Sequence, residues 1–232
     1  MSSRSSSWML DPITLRKLGC LGQGEHGYIS LVQTTDGLLM AKKTSLRKYS
    51  ENLEKEQRIL HHFNSINFNI DLHKDGYVHC DLGPENMLIF PTYTHGELCE
   101  LKLADFGLAK EPNGPNPLDG SLFEGCPAYL APEAVGPCRI ISSAVDIWSL
   151  GVMVIEMLGV NGGGRNDYLS QTLSSMAWDF VRKCKVHDWE SRATAEELLS
   201  HPFVNQSIGV PPFEMLPVPY CLTDGVVQGR FF

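Results

Sequence analysis

The chain has 232 residues, a formal net charge of −8, 43% hydrophobic residues and 20% charged residues. These proportions are typical of a globular protein, and the length suffices for one large domain or two small ones. The acidic balance argues against non-specific binding to nucleic acid or anionic lipid, so we expect neither a nucleic-acid nor a membrane partner.

The termini and cysteines give the expected environment. Seven dispersed cysteines without a C-x-x-C pair predict reduced thiols in an intracellular protein rather than a disulfide framework or zinc site. The longest apolar stretch, Ile147 to Leu158, is too short to span a bilayer and contains Glu156. The Ser-rich residues 1–7 predict a disordered leader, with a transit peptide as the weaker alternative. We expect a cytoplasmic location, with the nucleus as an additional one.

The first part of the chain predicts strands followed by a helix. Residues 8–48 contain short apolar runs separated by glycines and by the turn pair Asp36-Gly37, a pattern typical of β-structure. Residues 50–63 place their apolar side chains near one helix face, and acidic residues near the start suit the helix dipole.

Three further helices are predicted in the second half. Residues 143–158 form the most apolar segment and predict a buried helix. Residues 178–184 and 194–199 predict two more helices. In the last of these, Thr194 and Glu197 have the spacing of a capping box, in which each side chain bonds the backbone of the other residue.

A glycine pattern lies within the predicted strands. Gly22, Gly24 and Gly27 fit G-x-G-x-x-G, which is a weak signal alone because Gly-rich turns are common. The dinucleotide-binding form of the pattern expects a helix next and an acidic residue about twenty positions later. A β-like Tyr-Ile-Ser-Leu-Val run follows instead, and residues 45–50 contain no acid. The sequence therefore favours a strand–loop–strand flap whose backbone amides face phosphates.

A lysine follows on the next predicted strand. Lys43 ends a Met-Ala-Lys-Lys run and resembles the phosphate-contacting lysine of a V-A-I-K strand. Such a lysine needs a carboxylate to hold its ammonium in place, and Glu56 on the following helix is suitably spaced. The alternative is a surface ion pair of little energetic consequence. These two motifs alone do not decide between the interpretations.

The central motifs carry the chemistry of phosphoryl transfer. Residues 79–86 read His-Cys-Asp-Leu-Gly-Pro-Glu-Asn, which matches H-R-D-L-x-x-x-N, and Asp105-Phe-Gly follows after a hairpin-like stretch. Phosphoryl transfer needs a base near the attacking hydroxyl and metal ligands across the phosphates. Asp81 is the candidate base, while Asn86 and Asp105 offer the hard oxygen ligands that Mg²⁺ prefers. Chance is a poor explanation for motifs in this order.

Ala131-Pro-Glu133 completes the motif set and ends a segment of activation-loop length that begins at Asp105. With these motifs, residues 8–204 resemble the eukaryotic protein serine/threonine kinase family. Three stretches further resemble plant mitogen-activated protein kinase kinase kinases, namely residues 76–82, 101–110 and 127–135.

The resemblance implies a fold and its domain boundaries. The expected fold is α+β, a truncated bilobal kinase-like domain with a small β-rich N-lobe that carries one helix. The N-lobe would cover about residues 8–70, and a larger, mainly helical C-lobe would cover about residues 71–204. Residues 205–232 would form an irregular tail.

The resemblance also implies two internal braces and a monomeric protein. Asp146, in a predicted buried helix, would brace the catalytic loop. Arg192, near the last predicted helix, would pair with Glu133. Both roles are structural rather than chemical.

The implied reaction transfers the γ-phosphate of ATP, with Mg²⁺, to a Ser or Thr of a protein substrate. Asp81 would be the base, Lys43 held by Glu56 would grip the phosphates, and Asn86 with Asp105 would hold the metal. The substrate would be a downstream kinase in a MAP kinase cascade. The residues expected around the nucleotide are Leu21, Gly22, Gly24, Gly27, Ile29, Ala41 and Lys43.

The sequence departs from the family pattern after the first helix. Only eight residues, 64–71, separate that helix from Leu72-His73, which resembles the end of the helix before the catalytic loop. In the family, this interval carries two strands, the hinge that hydrogen-bonds adenine, and most of two helices. Their loss would remove partners of adenine and leave apolar helix faces uncovered.

Further departures alter the catalytic loop and the substrate side. The interval between Leu158 and Trp178 is shortened, and Gly83 and Cys126 replace a lysine and a threonine of one local network. Cys80 replaces an arginine that usually contacts a phosphorylated activation loop. The alternatives to an active kinase are therefore a catalytically impaired binding protein and an incomplete gene product. The five intact residues that favour the enzyme are Lys43, Glu56, Asp81, Asn86 and Asp105.

Overall fold

A computed structural model describes residues 15–24, 27–63, 72–91, 99–116, 126–135, 139–160, 169 and 171–206. The described residues up to Glu54 form one compact unit, and those from Lys55 onward form a second. The predicted leader at residues 1–7 and nearly all of the predicted tail at 205–232 lie outside the described residues. The lobe boundaries stay predictions.

The first unit is built on an antiparallel sheet in the order β1-β2-β3. Gly24 pairs with Gly27 at the tip of the first hairpin, so the glycine pattern forms the predicted strand–loop–strand flap. The second hairpin turns at Asp36 and Gly37, where a φ of 90° at Gly37 suits glycine. The strands are β1 (Arg16–Gly24), β2 (Gly27–Gln33) and β3 (Leu39–Ser45).

Helix α1 (Ser50–Phe63) confirms the helix predicted over 50–63. Its buried face carries Ile59 and Phe63, each only 1% exposed. These side chains pack with Leu72, Phe106 and Ala109, all within the second unit. The helix thus contributes its apolar face to the core that surrounds the Asp-Phe-Gly motif.

A two-stranded antiparallel sheet positions the second half of the catalytic motifs. Strands β4 (Met87–Pro91) and β5 (Cys99–Leu103) confirm the hairpin predicted between the motifs. Asn86 directly precedes β4, and Asp105 follows β5 by two residues. The Ala104 amide donates to the Asn86 carbonyl oxygen at 2.9 Å, which holds the two ends of the hairpin together.

Four helices with described bounds lie wholly within the second unit. Helix α3 is largely buried, as predicted, and its inner residues pack against α4 and Leu198. Helix α4 begins three residues before the predicted position because the Ser174 side chain caps it by accepting from the Ala177 amide. Thr194 and Glu197 form the predicted capping box. The helices are α2 (Pro132–Val135), α3 (Ser143–Met157), α4 (Ser175–Cys184) and α5 (Ala195–Leu199).

Apolar side chains are exposed on several elements of the second unit. Met157, at the end of α3, is 74% exposed. Ile89 and Leu101 lie opposite each other in the two-stranded sheet and are also exposed. The expected loss of segments that cover helix faces stays a prediction. None of the described helices has both the length and the apolar character needed to cross a membrane.

Candidate active site

Asp81 and Asn86 lie in direct contact in the loop before β4. The Asn86 side-chain nitrogen donates to the Asp81 carbonyl oxygen at 2.8 Å and to its carboxylate at 3.1 Å. Both bonds use the amide nitrogen of Asn86, so the Oδ1 oxygen remains as the atom that can bind a cation. The sequence spacing thus brings a candidate base and a candidate metal ligand together.

The surroundings of Asp81 suit a proton acceptor. Burial raises the pKa of the Asp81 carboxyl, and the hydrogen bond from Asn86 and the charge of His79 offset only part of that rise. The charge of Asp105 makes a smaller contribution in the same direction as burial. A raised pKa moves a carboxylate towards the pH at which it works best as a general base.

Asp105 begins a tight turn in a left-handed conformation. Its φ is 61°, and its carboxylate accepts from the Gly107 amide at 3.4 Å. For a residue other than glycine, this conformation costs about 1–3 kcal/mol and persists only when the surroundings enforce it. Phe106 provides such a constraint because it is completely buried beside His79.

The oxygen ligands of Asn86 and Asp105 match the chemistry of Mg²⁺, which takes one or two carboxylate or amide ligands and completes its shell with substrate phosphates and water. Among the described residues there is no group of three or more His, Cys, Asp or Glu side chains that would form an all-protein metal cage. The residues present therefore fit a metal that arrives with a nucleotide.

Asp146 braces the loop that carries Asp81, as the resemblance implied. Its buried carboxylate accepts from the amides of His79 and Cys80 at 2.8 and 2.9 Å and contacts His73 Nε2 at 2.8 Å. Burial alone would raise the pKa of Asp146, but the hydrogen bond and charge of His73 and the interactions with His79 outweigh it, so the pKa is lowered. Cys80 adopts a φ of 67°, and the brace holds this unfavourable backbone in place.

Arg192 and Glu133 form the second brace. Two guanidinium nitrogens of Arg192 contact the two carboxylate oxygens of Glu133 at 2.6 and 2.9 Å. Arg192 also donates to the carbonyl oxygens of Ala144 and Val186. The pair is buried and fully hydrogen-bonded, which connects α2, α3 and the loop before α5.

The candidate nucleotide residues of the first unit share one sheet. Leu21, Gly22 and Gly24 lie in β1, Gly27 and Ile29 in β2, and Ala41 and Lys43 in β3. Ile29 lies opposite both Gly22 and Lys43, which places these positions on the same face. A Cβ atom at Gly27 would lie 2.0 Å from the Thr44 carbonyl oxygen, so this close strand approach requires glycine.

The structure places the candidate residues in two groups. Asp81, Asn86 and Asp105 belong to the second unit, where Glu56 is buried on α1. Asp81 contacts Asn86 directly, and Asp105 follows the residue whose amide bonds the Asn86 carbonyl oxygen. Lys43 belongs to the first unit, so its pairing with Glu56 stays a prediction.

Sequence analysis placed His73 at the end of a helix but did not predict its contact with Asp146, and it did not single out Lys55, which contacts the segment after Asp105. A histidine in a short Leu-His pair and one lysine in a charge-rich helix carry no distinctive sequence signal.

The altered residues of the catalytic network lie beside Asp81. Cys126 lines a small cleft together with Asp81. A Cβ atom at Gly83 would lie 2.7 Å from the Glu85 carboxylate, the mobile end of a flexible side chain. A lysine at residue 83 is therefore compatible with this backbone once Glu85 shifts. The other residues that line the cleft are Cys80, Leu82, Tyr129, Leu130 and Ser149.

Comparison with known proteins agrees with this geometry. Residues 69–162 match the protein kinase domain family. The chain is 31% identical over 209 residues to mitogen-activated protein kinase kinase kinase 20 of Arabidopsis thaliana, covering 78% of this chain and 59% of the relative. It is 35% identical over 150 residues to mitogen-activated protein kinase kinase kinase YODA of the same plant, covering 57% of this chain and 16% of the relative.

A relative outside the plants matches as well. The chain is 36% identical over 154 residues to serine/threonine-protein kinase 17A of Oryctolagus cuniculus, covering 59% of this chain and 37% of the relative. The chain thus spans less than two thirds of the length of each of these relatives.

Proposed function

Because this chain carries a domain of the protein serine/threonine kinase family, we propose that it binds Mg-ATP and transfers the γ-phosphate to Ser or Thr of a protein substrate. The observation that carries the proposal is the cluster of Asp81, Asn86 and Asp105, held by the buried Asp146. The names of the plant relatives support a downstream kinase as substrate and a place in a MAP kinase cascade.

Each residue of the cluster has a defined task in this proposal. Mg-ATP supplies the phosphoryl group and the charge of the metal. Asp81 orients the substrate hydroxyl and accepts its proton as the new oxygen–phosphorus bond forms and ADP leaves. Asn86 and Asp105 hold the metal. The glycine flap and Lys43, in the first unit, stay sequence predictions for phosphate binding.

The proposed turnover is slow compared with that of a complete family member. Gly83 provides no ammonium to steady the transferring phosphate, and Cys126 replaces the hydroxyl of the same network. The short connection at residues 64–71 leaves the adenine without a hinge. These features favour a second candidate function, a nucleotide-responsive binding module that does not turn over.

Two measurements separate the candidates. Thermal unfolding is followed with and without Mg-ATP, and transfer of labelled γ-phosphate to a generic protein substrate is followed with purified chain. An active kinase shows a higher Tm with Mg-ATP and transfer that Asp81→Asn abolishes. A higher Tm without transfer supports the binding module. If Mg-ATP causes neither a higher Tm nor phosphate transfer, the proposed function is wrong.

A gain-of-function variant sharpens this test. Gly83→Lys combined with Cys126→Thr rebuilds the family network on a backbone that accepts the lysine. We expect the double variant to transfer phosphate faster than the wild type, while the same double variant with Asp81→Asn transfers none. Equal rates for wild type and double variant would show that these two positions do not limit turnover.

A further inference from the structure

Helix α1 is attached to the segment after Asp105 by one lysine. The Lys55 ammonium donates to the Ala109 carbonyl oxygen at 3.0 Å. The partner in this hydrogen bond is a neutral carbonyl group rather than a carboxylate. The ammonium gives up hydration to reach this carbonyl, and this burial lowers the pKa of Lys55. Lysine side chains usually extend their charge into water instead.

The carbonyl that Lys55 holds belongs to a stiff turn. The Ala109 amide donates to the Phe106 carbonyl oxygen at 3.1 Å, and both side chains are buried in the core that α1 helps to form. Asp105 directly precedes this turn and adopts the left-handed conformation that needs enforcement. Ala109 is thus hydrogen-bonded to the turn that Asp105 begins.

Lys110 attaches the same segment to the other side of the unit. Its backbone exchanges two hydrogen bonds with Val78, of 2.8 and 3.0 Å, directly before the catalytic loop. Its ammonium donates to the Ile141 carbonyl oxygen at 3.0 Å. The contact between Arg58 and Glu111 at 3.3 Å is exposed and contributes little. Lys55 thus supplies a partly buried polar link between α1 and this segment.

We propose that Lys55 is a positioning residue for the metal site: by holding Ala109, it keeps Asp105 in the orientation in which its carboxylate and Asn86 bind the same Mg²⁺. The proposal rests on the proposed function, because it requires Asp105 to hold the metal. Lys55 also precedes Glu56 on the helix, so the same hydrogen bond links the position of Glu56 to that of Asp105.

The test uses the full chain with three variants. Lys55→Met removes the donor and keeps the length of the side chain, and Lys55→Arg keeps a donor. Lys74→Met is the matched control because Lys74 is an exposed lysine of the same unit. Hydrogen exchange of the amides of residues 107–111 reports on the segment itself, and exchange in α3 reports on global folding. Nucleotide binding is titrated with Mg²⁺ and, separately, in EDTA.

We expect Lys55→Met to raise both the amide exchange rate in residues 107–111 and the half-saturating Mg²⁺ concentration, each about tenfold. This magnitude corresponds to the loss of one hydrogen bond from a charged group. Exchange in α3 and nucleotide affinity in EDTA stay unchanged. Lys55→Arg, which keeps a donor, should retain most of the wild-type exchange and Mg²⁺ requirement. A purely structural role would instead weaken nucleotide binding equally with and without Mg²⁺.

Each other outcome decides the matter. Exchange in Lys55→Met equal to that in Lys74→Met overturns the proposal, as does faster exchange with an unchanged Mg²⁺ requirement. If Lys55→Met unfolds the unit, Lys55→Gln takes its place. Its neutral amide is carried on a shorter side chain, and the same changes in exchange and in the Mg²⁺ requirement are expected. If the wild type does not bind nucleotide with Mg²⁺, the proposed function is wrong, while hydrogen exchange still decides whether Lys55 holds the segment.

Discussion

At the scale of single residues, Asp81 and Asp146 show how burial and partners set the state of a carboxylate. Asp81 loses hydration, and the Asn86 amide and the His79 charge offset only part of that loss, so its pKa is raised. Asp146 is more deeply buried, but two backbone amides and His73 stabilise its charge and lower its pKa. The first suits proton transfer, and the second suits a permanent brace.

The pKa of Asp81 predicts the acid limit of phosphate transfer. Only the deprotonated carboxylate can accept a proton, so transfer is lost as the pH falls through a pKa above the ordinary aspartate value of about 4. The acid limb of kcat/KM and the NMR titration of the Asp81 carboxyl should share one midpoint. A midpoint at or below the ordinary value would mean that the Asn86 hydrogen bond outweighs burial. Since folding favours protonated Asp81, its contribution to stability is lost as pH rises through the raised pKa.

Removing the Asp146 carboxylate should strongly destabilise the second unit. Asp146→Ala leaves the buried amides of His79 and Cys80 without acceptors, and we expect denaturant unfolding to show a loss of about 3–5 kcal/mol. The folded pKa of Asp146 is lowered, so its contribution is present above the ordinary aspartate pKa and is lost as pH falls through the lowered value. Asp75→Ala, which breaks an exposed pair with His62, is the control and should cost under about 1 kcal/mol. Equal losses would show that Asp146 is not a brace.

At the scale of elements, periodicity predicted the long helices and missed the short one. Helices α1 and α3 have enough turns for an apolar pattern to appear, and both lie at their predicted positions. Helix α2 has four residues and therefore carries no period. The start of α4 depends on the Ser174 cap, a local hydrogen bond outside the apolar run. The positive φ angles of Cys80 and Asp105 arise from tertiary contacts, which no local pattern predicts.

The contact of Arg192 with Glu133 predicts a large effect for a conservative substitution. Arg192→Lys cannot reproduce the bidentate bond and leaves the buried Glu133 carboxylate incompletely paired, so we expect a loss of about 3 kcal/mol in unfolding free energy. Arg182→Lys is the matched control, because Arg182 forms an exposed pair with Asp179 on α4. That change should cost less than about 0.5 kcal/mol. Similar Tm values for the two variants would contradict the proposed brace.

At the scale of the whole molecule, the motifs identified the residues of the candidate site, but they did not predict how residues from the two units are arranged. The loop spacing brought Asp81 next to Asn86, and the hairpin joins Asn86 to the residue before Asp105, so all three belong to one compact unit. Lys43 lies in the other unit, and sequence order alone contains no information on how two units are arranged. The shortness of the connection at residues 64–71 can be recognised from the sequence. Its effect on nucleotide binding depends on the contacts to adenine that the family hinge would make.

That effect leads to a prediction about nucleotide selectivity. Residues 64–71 are too few to provide the family hinge, so adenine loses its backbone hydrogen bonds, each worth about 1 kcal/mol, and an apolar wall. Binding then depends on the phosphates and the metal, and we expect Mg-ATP, Mg-GTP and Mg-tripolyphosphate to bind with Kd values within about fivefold of each other. Calorimetric titration measures the three values, and Asp105→Asn should weaken all of them together. A preference for ATP above about a hundredfold would show that other residues recognise adenine, because such a ratio needs nearly 3 kcal/mol of base-specific contacts.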